Sequence, residues 1–480
     1  MQSVSTWRAF ALVALLTGAS CKHRSAVTGD PHTGPTPAVE SRSHDAGATP
    51  EAGEVTAMSA QARRLSELAD QIAERMAELR ELPVRRPIER GVMARDAIVR
   101  RMRERTRQEY PPGEVELEGE MLKRLGMIPD SLDYERTMFD LLEEQILGFY
   151  DPDERKLYMA DWVPVEAQAV TMAHEITHAL QDQHFDIARY THHVQGRGDA
   201  QTGTMAVIEG DATAAMLDYA LAPRGVRVQN DPATIALMQQ QMTGSDQPRM
   251  AAAPRAIRET LLFPYIAGFQ LCVRLLRQGG HRAIDDLLAH PPDSTEQVIH
   301  PEKLSPREAP VHINVTVPDA LNQDFVLAYQ DVAGELGARL FFAPLADDRA
   351  RAAAQGWGGD RVMLLLPRGG ITPGADGGVT VAPGALARDV MLWVVVMDAA
   401  RGREDGEAAE FATAAVEVLN RRYADRAAVN VASALAARDL GGGRVSLVAR
   451  SGRTVIVGDR IPADRATATV RAAMVASGLR

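Results

Sequence analysis

Between Ala169 and Asp186 the chain reads AVTMAHEITHALQDQHFD, and inside that stretch HEITH sets His174, Glu175 and His178 in a fixed spacing. On an α-helix, residues four apart point the same way, so His174 and His178 offer two imidazoles to one point in space. The stretch contains no proline, and Ile176 and Thr177 are uncharged. Val170, Ala173 and Leu180 give the helix an apolar side to bury. A helix over about 165–183 follows, with its histidine pair held against a packed interior.

Two imidazoles from one helix suit Zn²⁺, which takes three protein ligands and keeps a position open when it does chemistry. Glu175 follows the first histidine and reaches the open position from the side. There it can act as general base toward a water that zinc makes acidic. Five residues thus contain two ligands, His174 and His178, and a catalytic carboxylate, Glu175.

The third ligand must come from elsewhere. His184 falls where a longer motif would place one, but Gln181 stands where that motif needs a glycine to turn the chain. With the helix continuing through Gln181, His184 faces away. His192 and His193 lie in a polar loop. Glu209 in MAVIEGDATAAMLDY is an acid inside an otherwise apolar helix. Such a group is expensive to bury without a charge or a metal beside it. Glu209 is therefore the expected third metal ligand, on a second helix packed beside the first.

HEITH with a downstream glutamate on a second helix resembles the gluzincin group of zinc metallopeptidases, the thermolysin-like architecture. The resemblance implies a zincin-like fold, a Zn²⁺ cofactor and a peptide or protein substrate. Thr213 stands where such enzymes often have an aspartate that orients a ligand histidine; Asp211 and Asp182 are the two candidates for that role. In zincins a strand before the active helix forms a sheet edge beside the cleft, and Arg155–Ala160 (RKLYMA) is the candidate here. The wider pattern GFYDPDERKLYM, HEITHALQDQHFD, EGDAT, PPDSTEQVIHPEK and GWGGDR also resembles bacterial secreted or lipoprotein zinc-peptidase-like proteins.

A hydrolase also needs a donor for the developing oxyanion. His300, in DSTEQVIHP, is the expected one, with Tyr265 as an alternative. Ser294 and Gln297 in the same stretch also fit an ordinary capped helix start. Trp357 in AQGWGGDR reads as packing.

The chain has 480 residues and a net charge of -11. That balance argues against nucleic acid as a partner, since phosphate binding needs a basic surface. Two cysteines exclude a disulfide framework, and Cys272, within an apolar helical run, reads as a buried thiol. Within residues 1–21 an apolar run from Ala9 to Leu16, too short to span a bilayer, is followed by the small residues Gly18, Ala19 and Ser20 before Cys21. They resemble a bacterial lipoprotein signal with Cys21 as the lipidated residue, and fit an ordinary secretory signal as well. Residues 22–57 are rich in Pro, Gly, Ser, Thr and Ala and read as a disordered tether. The expected location is outside the cytoplasm, held to a membrane by the N-terminal lipid anchor.

Residues 58–310 read as a mainly helical zincin-like domain with a small edge sheet, and 311–480 as a C-terminal α+β domain or lobe. The fold class is α+β. Strand-like runs in the second part include VHINVTV, RVMLLLP, GVTVAP, VMLWVVVMD and the hairpin RVSLVARSGRTVIVGD. A metallopeptidase is the leading reading. A non-catalytic zincin-fold lipoprotein, serving as a binding or assembly module, is the reading from a different class; the intact Glu175 argues against it.

Overall fold

The computed structural model describes residues 60–145, 147–243, 248–374, 378–398 and 406–476. The signal segment, Cys21 and the tether lie outside the described residues.

The fold is α+β. Its first part runs α1 (Ala60–Arg80), β1 (Glu89–Met93), α2 (Arg95–Glu109), α3 (Glu114–Arg124), α4 (Tyr134–Gln145), β2 (Gly148–Asp151), β3 (Lys156–Ala160) and α5 (Ala169–Phe185). It continues with α6 (Ala188–Thr191), α7 (Gly198–Leu221), α8 (Pro232–Thr243), α9 (Pro248–Ala252), α10 (Arg255–Gly279), α11 (His281–Ala289) and α12 (Thr295–Ile299).

Helical spacing of apolar residues in α1 places Leu65, Ile72 and Met76 in the interior. They cluster with Met172, Ile176, Ala179 and Leu180 of α5. On its other side α5 meets α7, so it is buried nearly all round. Glycines set how closely α7 approaches α10. A Cβ on Gly268 would lie 1.9 Å from the Ala206 carbonyl oxygen, and one on Gly210 2.2 Å from the Gly268 carbonyl carbon. The two backbones touch there, one residue from Glu209. Among the described residues α10 alone is long and apolar enough to cross a membrane; 61% of that stretch is buried inside the fold. Cys272 on α10 is a buried free thiol, as expected.

The small sheet has the order β1-β3-β2. β1 runs parallel to β3, and β2 antiparallel to it. The strand Arg155–Ala160, expected at the edge, is therefore central. β1 (ERGVM) has no alternating apolar pattern to announce it, and its Gly91 lies beneath the Tyr158 ring. β2 becomes the edge beside α5.

The second part runs β4 (Phe325–Asp331), α13 (Gly334–Phe341), α14 (Asp347–Ala354), β5 (Trp357–Pro367), β6 (Ile371–Pro373), β7 (Val379–Val381), β8 (Val390–Met397), α15 (Gly406–Arg422), β9 (Ala434–Gly441), β10 (Arg444–Ser451), β11 (Thr454–Pro462) and α16 (Ala466–Ala476). Six strands form one antiparallel sheet, β4-β5-β8-β11-β10-β9. One face packs Trp393 with Phe341, Phe342 and Phe411 of α13–α15; the other packs against α16. The stretch 311–317 alternates as a strand should, burying Ile313 and Val315, but joins no ladder: it lies across the sheet face. The sequence break near Pro310 is no break in packing, because α3 buries Leu117, Met121 and Leu125 in the cluster under the sheet.

A candidate metal centre

The helix α5 forms as the sequence predicts, entered through a single 3-10 turn at Val165–Gln168 and closed by Asp186 in the left-handed region. His174 and His178 sit one turn apart with perpendicular rings, and their Nε2 atoms are 3.0 Å apart. Glu209 reaches across from α7. Its Oε2 lies 3.1 Å from His174 Nε2 and 3.4 Å from His178 Nε2. Three ligands of a tetrahedral zinc, each about 2.0–2.1 Å from the ion, lie about 3.3 Å from one another. The triangle has that size, and the group can hold a metal ion. Among the described residues it is the one such group of three His, Cys, Asp or Glu side chains. The second carboxylate oxygen, Glu209 Oε1, is buried without a hydrogen-bond partner.

The electrostatics fit ligation. Burial opposes the charge on Glu209, but the two imidazoles outweigh it and hold the carboxyl well below its usual range. Burial alone would lower the His178 pKa, yet Glu209 beside it pushes it up. Both shifts have one cause, the close approach of the Glu209 carboxylate to the His178 imidazole. Imidazole ligates in its deprotonated form, so metal uptake competes with protonation of His178.

Glu175 points along the same side of α5 and is 6% exposed. Burial raises its pKa, the two histidines counter that, and Glu209 adds to the rise. Its Oε2 accepts a hydrogen bond from the Tyr150 backbone N–H at 2.8 Å. The Tyr150 hydroxyl in turn donates to Asp182, two turns further along α5, at 3.0 Å. The edge strand β2 is thus pinned to α5 at both ends of one tyrosine. Asp182 also pairs with Arg86, and so anchors the strand rather than a ligand histidine.

The orienting partner of His178 is Gln181. Its Oε1 lies 2.9 Å from His178 Nδ1, while its Nε2 donates to the Ile208 carbonyl at 3.0 Å and to Asp211 at 2.8 Å. With both amide hydrogens directed at acceptors, the oxygen is the atom left for histidine. Nδ1 of His178 therefore carries the proton and Nε2 presents its lone pair to the centre. Asp211 is fixed by Arg80, which is fully buried and also bonds Asp285. The role expected of Asp211 is performed at one remove, through an amide. Gln181 lies three residues beyond His178 on the same helix face, but its partners Ile208 and Asp211 come near only through the packing of α7.

The structure brings His174, Glu175, His178 and Glu209 together. His300 is bonded elsewhere, its Nε2 lying 3.0 Å from Glu335 of α13. Tyr265 of α10 stacks against His174 with 6.4 Å between ring centres. His184 bonds the Pro83 carbonyl and His193 bonds Glu114, so neither joins the group. Thr213, one turn past Glu209, keeps a buried hydroxyl without a partner, as does His174 at Nδ1. Ser294 caps α12 by accepting from the Gln297 N–H. Trp357 is buried, its indole N–H bonded to Asp360.

A family model described as a domain of unknown function (DUF8575) matches residues 325–471. That span is the six-stranded sheet with its helices, and the His174–His178–Glu209 group lies outside it. No curated protein matches the chain, and no solved structure matches it.

Proposed function

We propose that the protein is a zinc metallopeptidase of gluzincin type, exported and held to a membrane by a lipid on Cys21. The observation that carries the reading is the triangle of His174, His178 and Glu209 ligand atoms with Glu175 beside it. A buried His₂Glu set is a common catalytic zinc site, and a purely structural centre has no use for a free carboxylate next to it.

Bound zinc would act as a Lewis acid, polarising a carbonyl and making water acidic near neutral pH. The chain's own residues do the rest. Gln181 and Asp211 hold His178 in the tautomer that ligates. Glu175, kept in place by the Tyr150 N–H, takes a proton from the attacking water and passes it to the departing amine nitrogen as the C–N bond breaks. Its raised pKa suits both halves of that transfer. β2 is the sheet edge beside α5, so an extended peptide lying along it would bring its carbonyl to Glu175.

The test is proteolysis of a broad peptide mixture by the purified chain. Cleavage should be lost on chelation and restored by Zn²⁺. A zinc-loaded protein that cleaves nothing, or cleavage indifferent to chelation, overturns the proposal.

A further inference from the structure

The second part of the chain contains a site of a different kind. A groove of about 1140 Å³ opens between the C-terminal end of α3, the end of α15 and the β9–β10 turn. Seven arginines and three aspartates line it, in a protein whose net charge is -11. We propose that this groove binds a compact phosphate-bearing ligand, gripped by Arg388, Arg422, Arg444 and Arg460.

The argument rests on how these guanidiniums are partnered. Asp389 is shared by Arg124 and Arg460, at 2.8 and 3.1 Å. Arg421 pairs with Glu417 and Arg426 with Asp425, but among the described residues no carboxylate stands within ion-pair distance of Arg388, Arg422 or Arg444. Arg422 donates to the carbonyls of Lys123, at 2.8 Å, and Arg124 at the end of α3. Arg444 donates to the carbonyls of Arg460, at 2.7 Å, and Arg388, at 3.4 Å. Arg388 is exposed. These backbone contacts hold the Arg422 and Arg444 guanidiniums in place without an ion-pair partner. Burial holds the Arg444 pKa below its ordinary value, and Arg460 and Arg388 push it the same way, against the pull of Asp389.

Each guanidinium has five donors in a planar fork that matches phosphate oxygens in pairs. Fixed side chains that repel one another gain more from an anion than mobile ones, because the ordering is already done. The rim supports access. Gly441, Gly442 and Gly443 all have positive φ, at 81, 60 and 71°, and a Cβ on any of them would meet nothing within 4 Å. The mouth is bare backbone. A headgroup-sized ligand fits within the groove, and the chain's net charge of -11 disfavours a long polyanion. Arg388, Arg422, Arg444 and Arg460 all lie inside the span 325–471, while residues 124–130 form the opposite wall from outside it; none of the residues lining the groove belongs to the metal centre.

The test is calorimetric titration of the whole protein with inorganic pyrophosphate and with water-soluble dihexanoyl phosphatidylglycerol. Binding that weakens as salt is raised, and that weakens about tenfold or more in Arg444→Gln, supports the site. Arg388→Gln should weaken it too, and that exposed residue can be changed without disturbing the interior, so it serves even if Arg444→Gln fails to fold. Arg136→Gln, at an exposed position on α4, should bind as the parent does. Stronger binding of the lipid points to a headgroup; pyrophosphate alone points to a free phosphate compound. No binding of either probe, or binding unchanged by both substitutions, overturns the proposal.

Discussion

Gln181 Oε1 lies 2.9 Å from His178 Nδ1, and the same amide reaches Asp211 at 2.8 Å, so one side chain ties a ligand histidine to a buried ion pair. Asp211 cannot shift, because Arg80 holds it at 2.6 Å with neither group reaching solvent. Removing the amide leaves His178 Nδ1 without an acceptor and frees the ring to turn. Gln181→Leu should fold and should bind zinc about 10–100-fold more weakly than the parent. Competition against a chromophoric chelator measures this directly; equal affinity would remove Gln181 from the account.

The glycine contact between α7 and α10 should be equally specific. Gly268→Ala places a methyl 1.9 Å from the Ala206 carbonyl oxygen. Backbone cannot yield as a side-chain tip can, so the helices must separate. Overpacking of this kind destabilises by roughly 1–3 kcal/mol or more. Chemical denaturation should show that loss. Because Glu209 lies on the displaced helix, metal affinity should fall as well.

Asp199 supplies a pH dependence away from the metal. Burial pushes its carboxyl up to about 8, against the hydrogen bonds from Thr295 and with help from Asp360 and Asp331. Its folded pKa is therefore above the unfolded value of about 4. The folded state holds this proton more tightly, so the stabilisation is complete below about pH 4 and is lost as pH rises through about 8. Glu296, pushed up to about 7 by burial, acts in the same sense. This single group can lower stability by up to about 1.4 kcal/mol per pH unit across that window. Asp199→Asn should flatten the slope, so the variant gains on the parent between pH 5 and pH 8. Parallel denaturation curves at the two pH values would contradict it.

What could be read in advance follows from how local each signal is. His174, Glu175 and His178 lie within one helical turn, and their spacing alone places them together. Glu209 was visible as an anomaly, an acid with no reason to be in an apolar helix unless something positive met it. Gln181 was not, because its meaning depends on Asp211 and Ile208, which only the packing of α7 brings near. β1 escaped for want of alternation: Glu89, Arg90 and Gly91 look like a loop until β3 pairs with them. Ile313 and Val315 misled in the other direction, since an alternating segment buries one face equally well with or without a ladder. The contact between His300 and Glu335 joins residues on two separate elements, and nothing near His300 in the sequence indicates it.

The central claim is that Glu175 moves a proton at a zinc held by its neighbours. Glu175→Gln keeps the size of the side chain and an oxygen to accept from the Tyr150 N–H, and it leaves all three ligands intact. Zinc content and peptide cleavage should therefore be measured together for the parent and this variant. The account predicts one zinc per chain in both, with cleavage reduced about 10²–10⁴-fold in Glu175→Gln. Equal cleavage by the two zinc-loaded proteins, or no cleavage by either, would contradict it.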